Sequence, residues 1–443
     1  MRSLQLTPSS FAALFATLVS LSLMSSALDA GDLEAKDGKQ WYKGNLHTHS
    51  HWSDGDDYPE MIGLWYKENG YQFLALTDHN VLANYERWID VDMSKGGREA
   101  YDKLKARFPE NWVDERTVDG ILEVRLKTFD EFSGLLNEEG SFLMMLGEEV
   151  TDIYKTSPIH MNISNLKEMI PPMKGESILD TMQNNVNAAI AQRERTGQPM
   201  MIHLNHPNFH YGVTAEDLMR VVGENFFEVY NGHSGVNNNG DDTHADTERL
   251  WDIVLTHRVA ELKLPLMYGL GTDDSHSYHN MPHPAKRSEP GRAWIMVLAD
   301  ELNSNTLITA IEDGQFYSSS GVTVNRVSSD ETGIAVELEP VDGETYTIDF
   351  IGTRAGFDAS SQPVLNDKGE EENITRTYSD DIGAVLQSST GTEARYTFHP
   401  NDLYVRVQVT SSADHPNPSQ AGDKKQAWIQ PVYGPAGQAE GVK

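Results

Sequence analysis

The 443-residue sequence contains no cysteine, and this absence excludes several classes of chemistry. Without thiols there are no disulfides, no thiolate metal ligands and no cysteine nucleophile. A metal site in this chain has to be built from histidines and carboxylates. Such donors favour divalent ions such as zinc, manganese or iron over soft ions.

Basic residues are also scarce. The 35 lysines and arginines are outnumbered by 67 aspartates and glutamates, which gives a formal net charge of −32 at pH 7. A field this negative repels nucleic acid and anionic membrane surfaces, so we expect neither as a partner. It also disfavours anionic substrates unless cations lie in the site. The sequence leaves the oligomeric state open.

Long apolar runs are missing after the N-terminal region, so no membrane insertion is expected. Residues 1–27 have the layout of a secretory signal peptide. Met1-Arg2 supplies a positive start, Phe11–Met24 is largely apolar, and Ser25-Ser26-Ala27 offers small residues for cleavage. We therefore expect an exported protein, periplasmic or extracellular.

Residues 41–321 repeat one theme, in which a short apolar run is followed by a helical or irregular segment. The apolar runs are Phe73–Thr77, Phe142–Gly147, Ile159–Ile163, Met200–Leu204, Phe226–Tyr230, Leu266–Gly271 and Ala293–Leu298. Short, nearly continuous runs are typical of strands buried on both faces. Helices are expected at Glu176–Arg195 and Leu302–Glu312. The alternation predicts a parallel sheet, closed into an α/β barrel.

Two further regions break this pattern. Residues 85–140 are too long and too charged for a simple crossover, so they are predicted to form an insertion that walls or covers a site. Residues 322–433 alternate apolar with polar positions between turn residues, which predicts a small antiparallel β-domain of the sandwich type. Residues 434–443 are expected to form a flexible tail.

Side chains that bind metals follow most of the predicted strands. They are His47-Thr48-His49, Asp54, Thr77-Asp78-His79, Gly147-Glu148-Glu149, His160, His203-Leu204-Asn205-His206 and Thr272-Asp273-Asp274-Ser275-His276. In a parallel barrel, all carboxyl ends of the strands open on one face, where active sites lie. Residues two apart on an extended strand point the same way, so His47 and His49 can bind one ion together. A bridging carboxylate such as Glu149 would let two ions lie close together.

The ordered series HxH, D, TDH, GxE, H, HP and DxH resembles the PHP (polymerase and histidinol phosphatase) superfamily of metal-dependent phosphoesterases. The resemblance covers about residues 41–321, and the segment FYSSSG at Phe316–Gly321 is similar to the closing segment of that family. It implies a distorted (β/α)7 TIM-like barrel that holds two to three divalent ions (Zn, Mn or Fe).

Carried over position by position, the resemblance also implies the metal ligands. One ion would be held by His47, His49, Glu149 and Asp274, a second by Glu149, His160 and His206, and a third by Asp54, His79 and His276. The last three residues are also the expected catalytic residues. Glu148 and Asp273 stay open as alternatives to the preferred Glu149 and Asp274.

Several polar residues near these motifs are candidates for contacting substrate or orienting ligands. They are His203, Asn205, His210, His233 and Arg292. Arg292, which precedes the last predicted barrel strand, is a candidate for holding an anionic group. A purely structural role is the alternative for each of them.

The function favoured by this pattern is metal-dependent hydrolysis of a small-molecule phosphate ester by a metal-activated water, with monoesters ahead of diesters. One alternative is an amidohydrolase-type enzyme that cleaves C–N or ester bonds, because such enzymes also use HxH after a first barrel strand. They usually bridge their metals through a lysine, whereas the corresponding ligand here is Glu149. A second alternative is a non-catalytic protein that binds a glycan or a partner, although such a relic should have lost ligands.

Overall fold

The computed structural model describes residues 32–36, 38–283, 287–365 and 368–438. The expected signal peptide, residues 1–27, lies outside these ranges, and so does the end of the expected tail, residues 439–443. Within the described ranges, no helix has both the length and the apolar character needed to cross a bilayer.

Two helices were predicted, and both are present, each beginning two residues later than predicted. The described ranges contain seven α-helices in all. They are α1 (Pro59–Glu68), α2 (Gly97–Arg107), α3 (Phe129–Leu136), α4 (Ile178–Thr196), α5 (Ala215–Leu218), α6 (Thr247–His257) and α7 (Ser304–Glu312). The start of α4 is capped by Ser177, whose hydroxyl accepts the backbone N–H of Asp180. Its end is set by Gly197, which adopts a φ of +65°. This helix matches the one predicted at Glu176–Arg195.

The strands are described in chain order. They are β1 (Asp32–Glu34), β2 (Gln40–Asn45), β3 (Phe73–Leu76), β4 (Trp88–Asp90), β5 (Glu115–Val118), β6 (Ile121–Arg125), β7 (Leu143–Tyr154), β8 (Ser157–Ser164), β9 (Met201–Leu204), β10 (Phe226–Asn231), β11 (Tyr268–Thr272), β12 (Trp294–Ala299), β13 (Phe316–Ser319), β14 (Val324–Asp330), β15 (Gly333–Leu338), β16 (Tyr346–Arg354), β17 (Ser361–Gln362), β18 (Thr377–Tyr378), β19 (Ala384–Thr390), β20 (Glu393–Thr397), β21 (Asp402–Asp414) and β22 (Lys424–Tyr433).

One large sheet of 13 strands runs through the molecule in the order β11-β10-β9-β8-β7-β3-β2-β12-β13-β22-β21-β16-β19. The pairs β2–β3, β3–β7, β9–β10 and β10–β11 are parallel. The pairs β7–β8, β8–β9 and β2–β12 are antiparallel. The fold is therefore α/β with a mixed sheet, and the prediction of a parallel sheet is wrong in these places. The β7–β8 pair is antiparallel because a tight turn, with Lys155 at a φ of +55°, joins the two strands directly.

The ends of β2 and β11 meet on the side of the sheet that carries the ionisable residues. Thr48, after β2, forms a parallel bridge with Ser275, after β11. The backbone N–H of Asp274 donates to the carbonyl of His47 at 2.9 Å. In the described residues, the backbone hydrogen bonds between these two strands are confined to the residues that follow their ends, and β2 and β11 do not pair along their length. A closed barrel therefore stays a prediction.

Residues 85–140, predicted as an insertion, contain a small sheet of their own in the order β4-β6-β5, together with α2 and α3. The segment packs against α1 in a shared apolar core that includes Tyr66, Leu104 and Phe132. It is thus attached to the α/β part by buried side chains.

The C-terminal strands alternate as predicted and form two antiparallel layers around a common core. One layer is β1-β14-β15-β20, and the other is the β22-β21-β16-β19 end of the large sheet. Ile334, Ile348 and Val407 contribute to the core between them. Because β22 pairs with β13, the second layer continues the main sheet without a break. A domain boundary near residue 322 stays a prediction, since it would cut through a hydrogen-bonded sheet.

A buried ion pair also links the C-terminal strands to the α/β part. Arg406, on β21, donates from Nη2 to Asp252 Oδ2 at 2.7 Å and from Nε to Asp252 Oδ1 at 2.8 Å. Asp252 lies on α6 and also accepts the hydroxyl of Tyr404 at 2.9 Å. Two charges removed from water are therefore fully paired at this junction.

Candidate metal centre

The nine predicted metal ligands lie together on the side of the large sheet where β2, β3, β9 and β11 end. His47 and His49 follow β2, and His79 follows β3, where it forms a bridge with Glu149 of β7. His160 lies on β8, and the remaining ligands come from loops. Every one of the nine belongs to a group of side chains whose donor atoms lie within 4.8 Å of one another.

Four buried side chains form what we call the inner group: His47, His49, Glu149 and Asp274. Nε2 of His47 lies 3.3 Å from Glu149 Oε2 and 3.3 Å from Asp274 Oδ1. Nε2 of His49 lies 3.1 Å and 3.2 Å from the same two oxygens. The extended backbone explains this convergence, because the two histidines share one side while Thr48 between them hydrogen-bonds to β3.

Glu149 presents its two oxygens to different histidines. Oε2 faces the inner group, while Oε1 lies 2.8 Å from Nδ1 of His160 and 3.6 Å from Nε2 of His206. Asn205 donates to the same Oε1 at 2.9 Å. A carboxylate that faces two sets of donors in this way has the geometry of a bridging ligand.

Three partly exposed side chains form what we call the outer group: Asp54, His79 and His276. Oδ1 of Asp54 lies 3.2 Å from Nε2 of His276 and 3.5 Å from Nε2 of His79. The rings of His79 and His276 both stack against the ring of His49, with centroids 4.3 Å and 4.1 Å from it. Because the Asp54 side chain is 40% exposed, the outer group faces solvent.

The donor atoms are arranged to bind a shared cation rather than to form hydrogen bonds with one another. In the described part of the chain, His49 Nε2 and His160 Nδ1 are buried without a hydrogen-bond partner of acceptable geometry. Yet carboxylate oxygens lie only 3.1 Å and 2.8 Å from them. Donors that converge without hydrogen-bonding are what a shared ion requires, and imidazole with carboxylate suits zinc, manganese or iron. The residues present therefore fit divalent ions.

Opposite charges set the electrostatics of the inner group. Burial alone would lower the pKa of His49, but the adjacent carboxylates of Asp274 and Glu149 raise the pKa to about 10. Burial alone would raise the pKa of Glu149, but the nearby charges of His79 and His47 hold the pKa well below its usual range. The carboxylate of Glu149 therefore stays ionised at neutral pH, while a bound ion has to displace the proton of His49, because metal ligation requires a neutral imidazole.

The structure distinguishes the two pairs of neighbouring acids, either member of which could have been the metal ligand from sequence alone. Glu149 lies in the cluster, whereas Glu148 points to the other face, where its Oε2 accepts a backbone N–H at 2.9 Å and burial raises its pKa to about 7. Asp274 lies in the cluster, whereas Asp273 accepts the hydroxyl of Tyr66 at 2.7 Å and several backbone N–H groups. Glu148 and Asp273 thus have structural partners of their own.

Three of the five candidates for contacting substrate or orienting ligands are buried, and their contact with substrate stays a prediction. His203 has no exposed surface, and its Nε2 lies 3.3 Å from Glu228. Asn205 is buried and orients Glu149. Arg292 is also buried, and its guanidinium donates to a backbone carbonyl at 2.6 Å. Nδ1 of His203 and Nε of Arg292 are buried without a hydrogen-bond partner in the described residues.

The other two expected substrate contacts lie near the open face. The ring of His233 lies 5.1 Å from that of His276, and burial lowers the pKa of His233 to about 4. His210 is exposed, and its ring packs against Phe209 at 4.5 Å. Phe209 in turn packs against His206. Contact of His210 and His233 with substrate stays a prediction.

Glu228, on β10, was missed by the sequence analysis. Its Oε1 lies 2.6 Å from Nδ1 of His47, and its Oε2 accepts the backbone N–H of His206 at 2.8 Å and the side-chain amide of Asn231 at 2.8 Å. A carboxylate on Nδ1 fixes the ring orientation and leaves Nε2 for an ion. The sequence does contain an indication of this role. An acid inside the apolar run Phe226–Tyr230 has to be paired with another group if it is buried.

Replacing Glu228 with glutamine is expected to weaken zinc binding by about 10- to 100-fold, because the ring of His47 loses its orienting charge. Isothermal titration calorimetry on metal-stripped protein measures this change. Glu148→Gln is the matched control, since it alters a buried glutamate that faces away from the cluster. Equal zinc affinity in wild type and Glu228→Gln would show that Glu228 does not orient His47.

No protein-family model and no curated protein matches this sequence. Solved structures do. A two-domain protein from Bacteroides vulgatus containing a predicted PHP-like metal-dependent phosphoesterase is 16% identical, with coverage of 89% of this chain and 96% of that one and a TM-score of 0.38. A protein from Bifidobacterium adolescentis described as a metal-dependent phosphoesterase is 13% identical, with coverage of 54% and 89% and a TM-score of 0.29.

An amidohydrolase from Chromobacterium violaceum is similar at a comparable level: 13% identity, coverage of 53% of this chain and 88% of that one, and a TM-score of 0.27. Of the first two structures, one is described as PHP-like and the other only as a metal-dependent phosphoesterase. Similarity this distant does not assign a reaction, so the chemistry has to be argued from the side chains of the cluster.

Proposed function

We propose that this protein is a metal-dependent hydrolase of phosphate esters, with monoesters as the preferred substrates. The proposal is carried by one observation, the convergence of nine histidines and carboxylates at one open face with Glu149 between two sets of them. In the reaction, water adds to phosphorus, the bond to the ester oxygen breaks, and an alcohol and inorganic phosphate are released.

Two or three divalent ions, when bound, would polarise the phosphoryl oxygens and supply a nucleophilic water near neutral pH. The inner group with His160 and His206 would hold two of them, and Asp54, His79 and His276 would hold a third where one binds. Glu228 and Asn205 would keep the rings and the carboxylate of these ligands in place through the hydrogen bonds described above.

The outer group is proposed to donate the proton that the leaving oxygen requires. Asp54, His79 and His276 are the partly exposed members of the cluster, so a leaving alcohol can depart past them into solvent. An imidazole can donate a proton to an oxygen as its bond to phosphorus breaks. The carboxylate of Asp54, which lies between the two rings, would keep them oriented.

Two further predictions, on the fold and on export, accompany this function. We propose a distorted (β/α)7 barrel for residues 41–321, supported by the bridge between Thr48 and Ser275. Export of the protein stays a prediction of residues 1–27.

Metal removal tests the proposed function directly. Wild-type protein treated with EDTA is expected to lose hydrolysis of p-nitrophenyl phosphate by at least about a thousandfold, because no side chain of the cluster can replace the lost positive charge. Zinc, manganese or iron should restore the activity, as measured by release of p-nitrophenol.

His47→Ala should fall to the same level and should not recover with metal. The matched control is His399→Ala, which removes an exposed histidine of the C-terminal strands and should leave the rate unchanged. Metal-loaded wild type that is inert toward mono- and diesters but cleaves amides or lactones would replace this proposal with the amidohydrolase alternative.

A further inference from the structure

A turn of the insertion lies directly against the chain segment that carries Asp54. Gly96 makes this approach possible, because a Cβ at that position would clash with the backbone oxygen of Asp56. The next residue, Gly97, has a φ of +55°, which favours glycine. The turn is closed by a hydrogen bond from Gly97 N–H to the carbonyl of Ser94 at 3.1 Å. The position of the turn beside Asp54 is therefore built into the backbone.

The helix that follows the turn, α2, is fixed to two of the three chain segments that carry the outer group, those of Asp54 and His276. Lys103 forms an ion pair with Asp57 and donates to the carbonyl of Tyr278 at 3.3 Å. Asn280 donates to Glu99 at 2.9 Å. Because these contacts join the insertion to both sides of the open face, the insertion forms part of the rim of the site.

Lys95 extends from this turn to the edge of the metal centre. Its Nζ lies 3.1 Å from Oδ2 of Asp54, while Oδ1 of the same carboxylate faces His276 and His79. The ammonium therefore does not compete for the oxygen that belongs to the outer group. The Lys95 side chain is 58% exposed. An ion pair this exposed contributes little to folding stability, so stability does not account for the placement of a cation here.

A cation at this position would favour the binding of an anionic substrate. The chain has a net charge of −32, and its general field repels anions. A phosphate monoester carries close to two negative charges above its second pKa of about 6, whereas a diester carries one. An ammonium beside the metal centre can form a charge-assisted hydrogen bond to a non-bridging phosphoryl oxygen, and this bond is strongest where the oxygens carry the extra charge.

We propose that Lys95 binds a non-bridging oxygen of the substrate phosphoryl group and thereby makes the site selective for dianionic monoesters over monoanionic diesters. This inference rests on the proposed function, which it narrows to a substrate class. It also gives the insertion a role, since the selectivity comes from a residue outside the metal ligands.

The test compares Lys95→Met with Lys105→Met in metal-loaded protein. Lys105 lies on α2 of the same insertion and pairs with Glu115 at 3.0 Å, so its loss changes the net charge equally without touching the rim. Lys95→Met is expected to raise KM for p-nitrophenyl phosphate about tenfold, the effect of one charged hydrogen bond. KM for bis(p-nitrophenyl) phosphate should change by less than about threefold. Lys95→Arg should restore most of the difference, and Lys105→Met should behave as wild type.

Equal changes for the two esters, or no change in Lys95→Met, would overturn the inference while leaving the proposed hydrolase intact. Absence of hydrolysis by wild type would instead reject the proposed function. In that case calorimetric binding of inorganic phosphate to the metal-loaded protein decides the inference. Binding about tenfold weaker in Lys95→Met but not in Lys105→Met supports it, and equal binding, or none by wild type, rejects it.

Discussion

Replacing Glu149 with glutamine is expected to lower the bound metal to at most one ion per chain and to slow phosphoester hydrolysis by at least about a thousandfold. The reason lies in the two oxygens of this side chain. One faces His47 and His49, and the other faces His160. An amide has a single acceptor oxygen and no charge, so it cannot serve both sets of donors at once.

Elemental analysis of the purified variant, combined with a rate measurement at saturating metal, tests this expectation. Glu148→Gln makes the identical change one residue earlier on β7, on the opposite face, and should keep wild-type metal content and rate. Circular dichroism would verify that both variants are folded. Full metal content and an unchanged rate in Glu149→Gln would show that this carboxylate does not bridge ions.

Breaking the buried ion pair between Arg406 and Asp252 is expected to destabilise the protein by about 3–5 kcal/mol. In Arg406→Met the carboxylate of Asp252 would keep its burial but lose both charged hydrogen bonds, which lie at 2.7 Å and 2.8 Å. Unfolding in guanidinium chloride, followed by fluorescence, measures the change in free energy of unfolding.

A matched exposed pair provides the control. Arg395 lies 3.1 Å from Asp330, and both side chains are about half exposed, so Arg395→Met should cost less than about 1 kcal/mol. The double variant Arg406→Met with Asp252→Leu should recover much of the loss, because it removes the unpaired charge as well. A loss in Arg406→Met as small as that of the control would show that the pair does not hold the two parts together.

Local pattern in the sequence was sufficient to predict most strands. Met200–Leu204 and Phe226–Tyr230, for example, differ by one residue from the observed β9 and β10. These predictions succeed because a buried strand has to be apolar along its whole length. The convergence of the ligands also followed from chain order, since each ligand group comes next to a predicted strand.

Strand direction and side-chain pairing could not be predicted in the same way. The turn at Lys155 reverses the chain between β7 and β8. The residues of an apolar run do not show in which direction its strand will lie in the sheet. Glu228 was overlooked because one acid hardly changes the apolar character of its run. The hydrogen bond from Arg292 to a backbone carbonyl was likewise not predictable, because a charge in the sequence does not show which group will accept it. Each of these depends on contacts between distant parts of the chain.

The pairing of β13 with β22 has a consequence for how this chain could be cut or recombined. A fragment that ends near residue 321 would leave the hydrogen-bonding edge of Phe316–Ser319 bare, and an unpaired edge of this kind invites aggregation. The C-terminal strands therefore act as a cover for that edge. We therefore expect the portion that carries the ligands and the portion that follows it to fold together, so a functional graft has to include both.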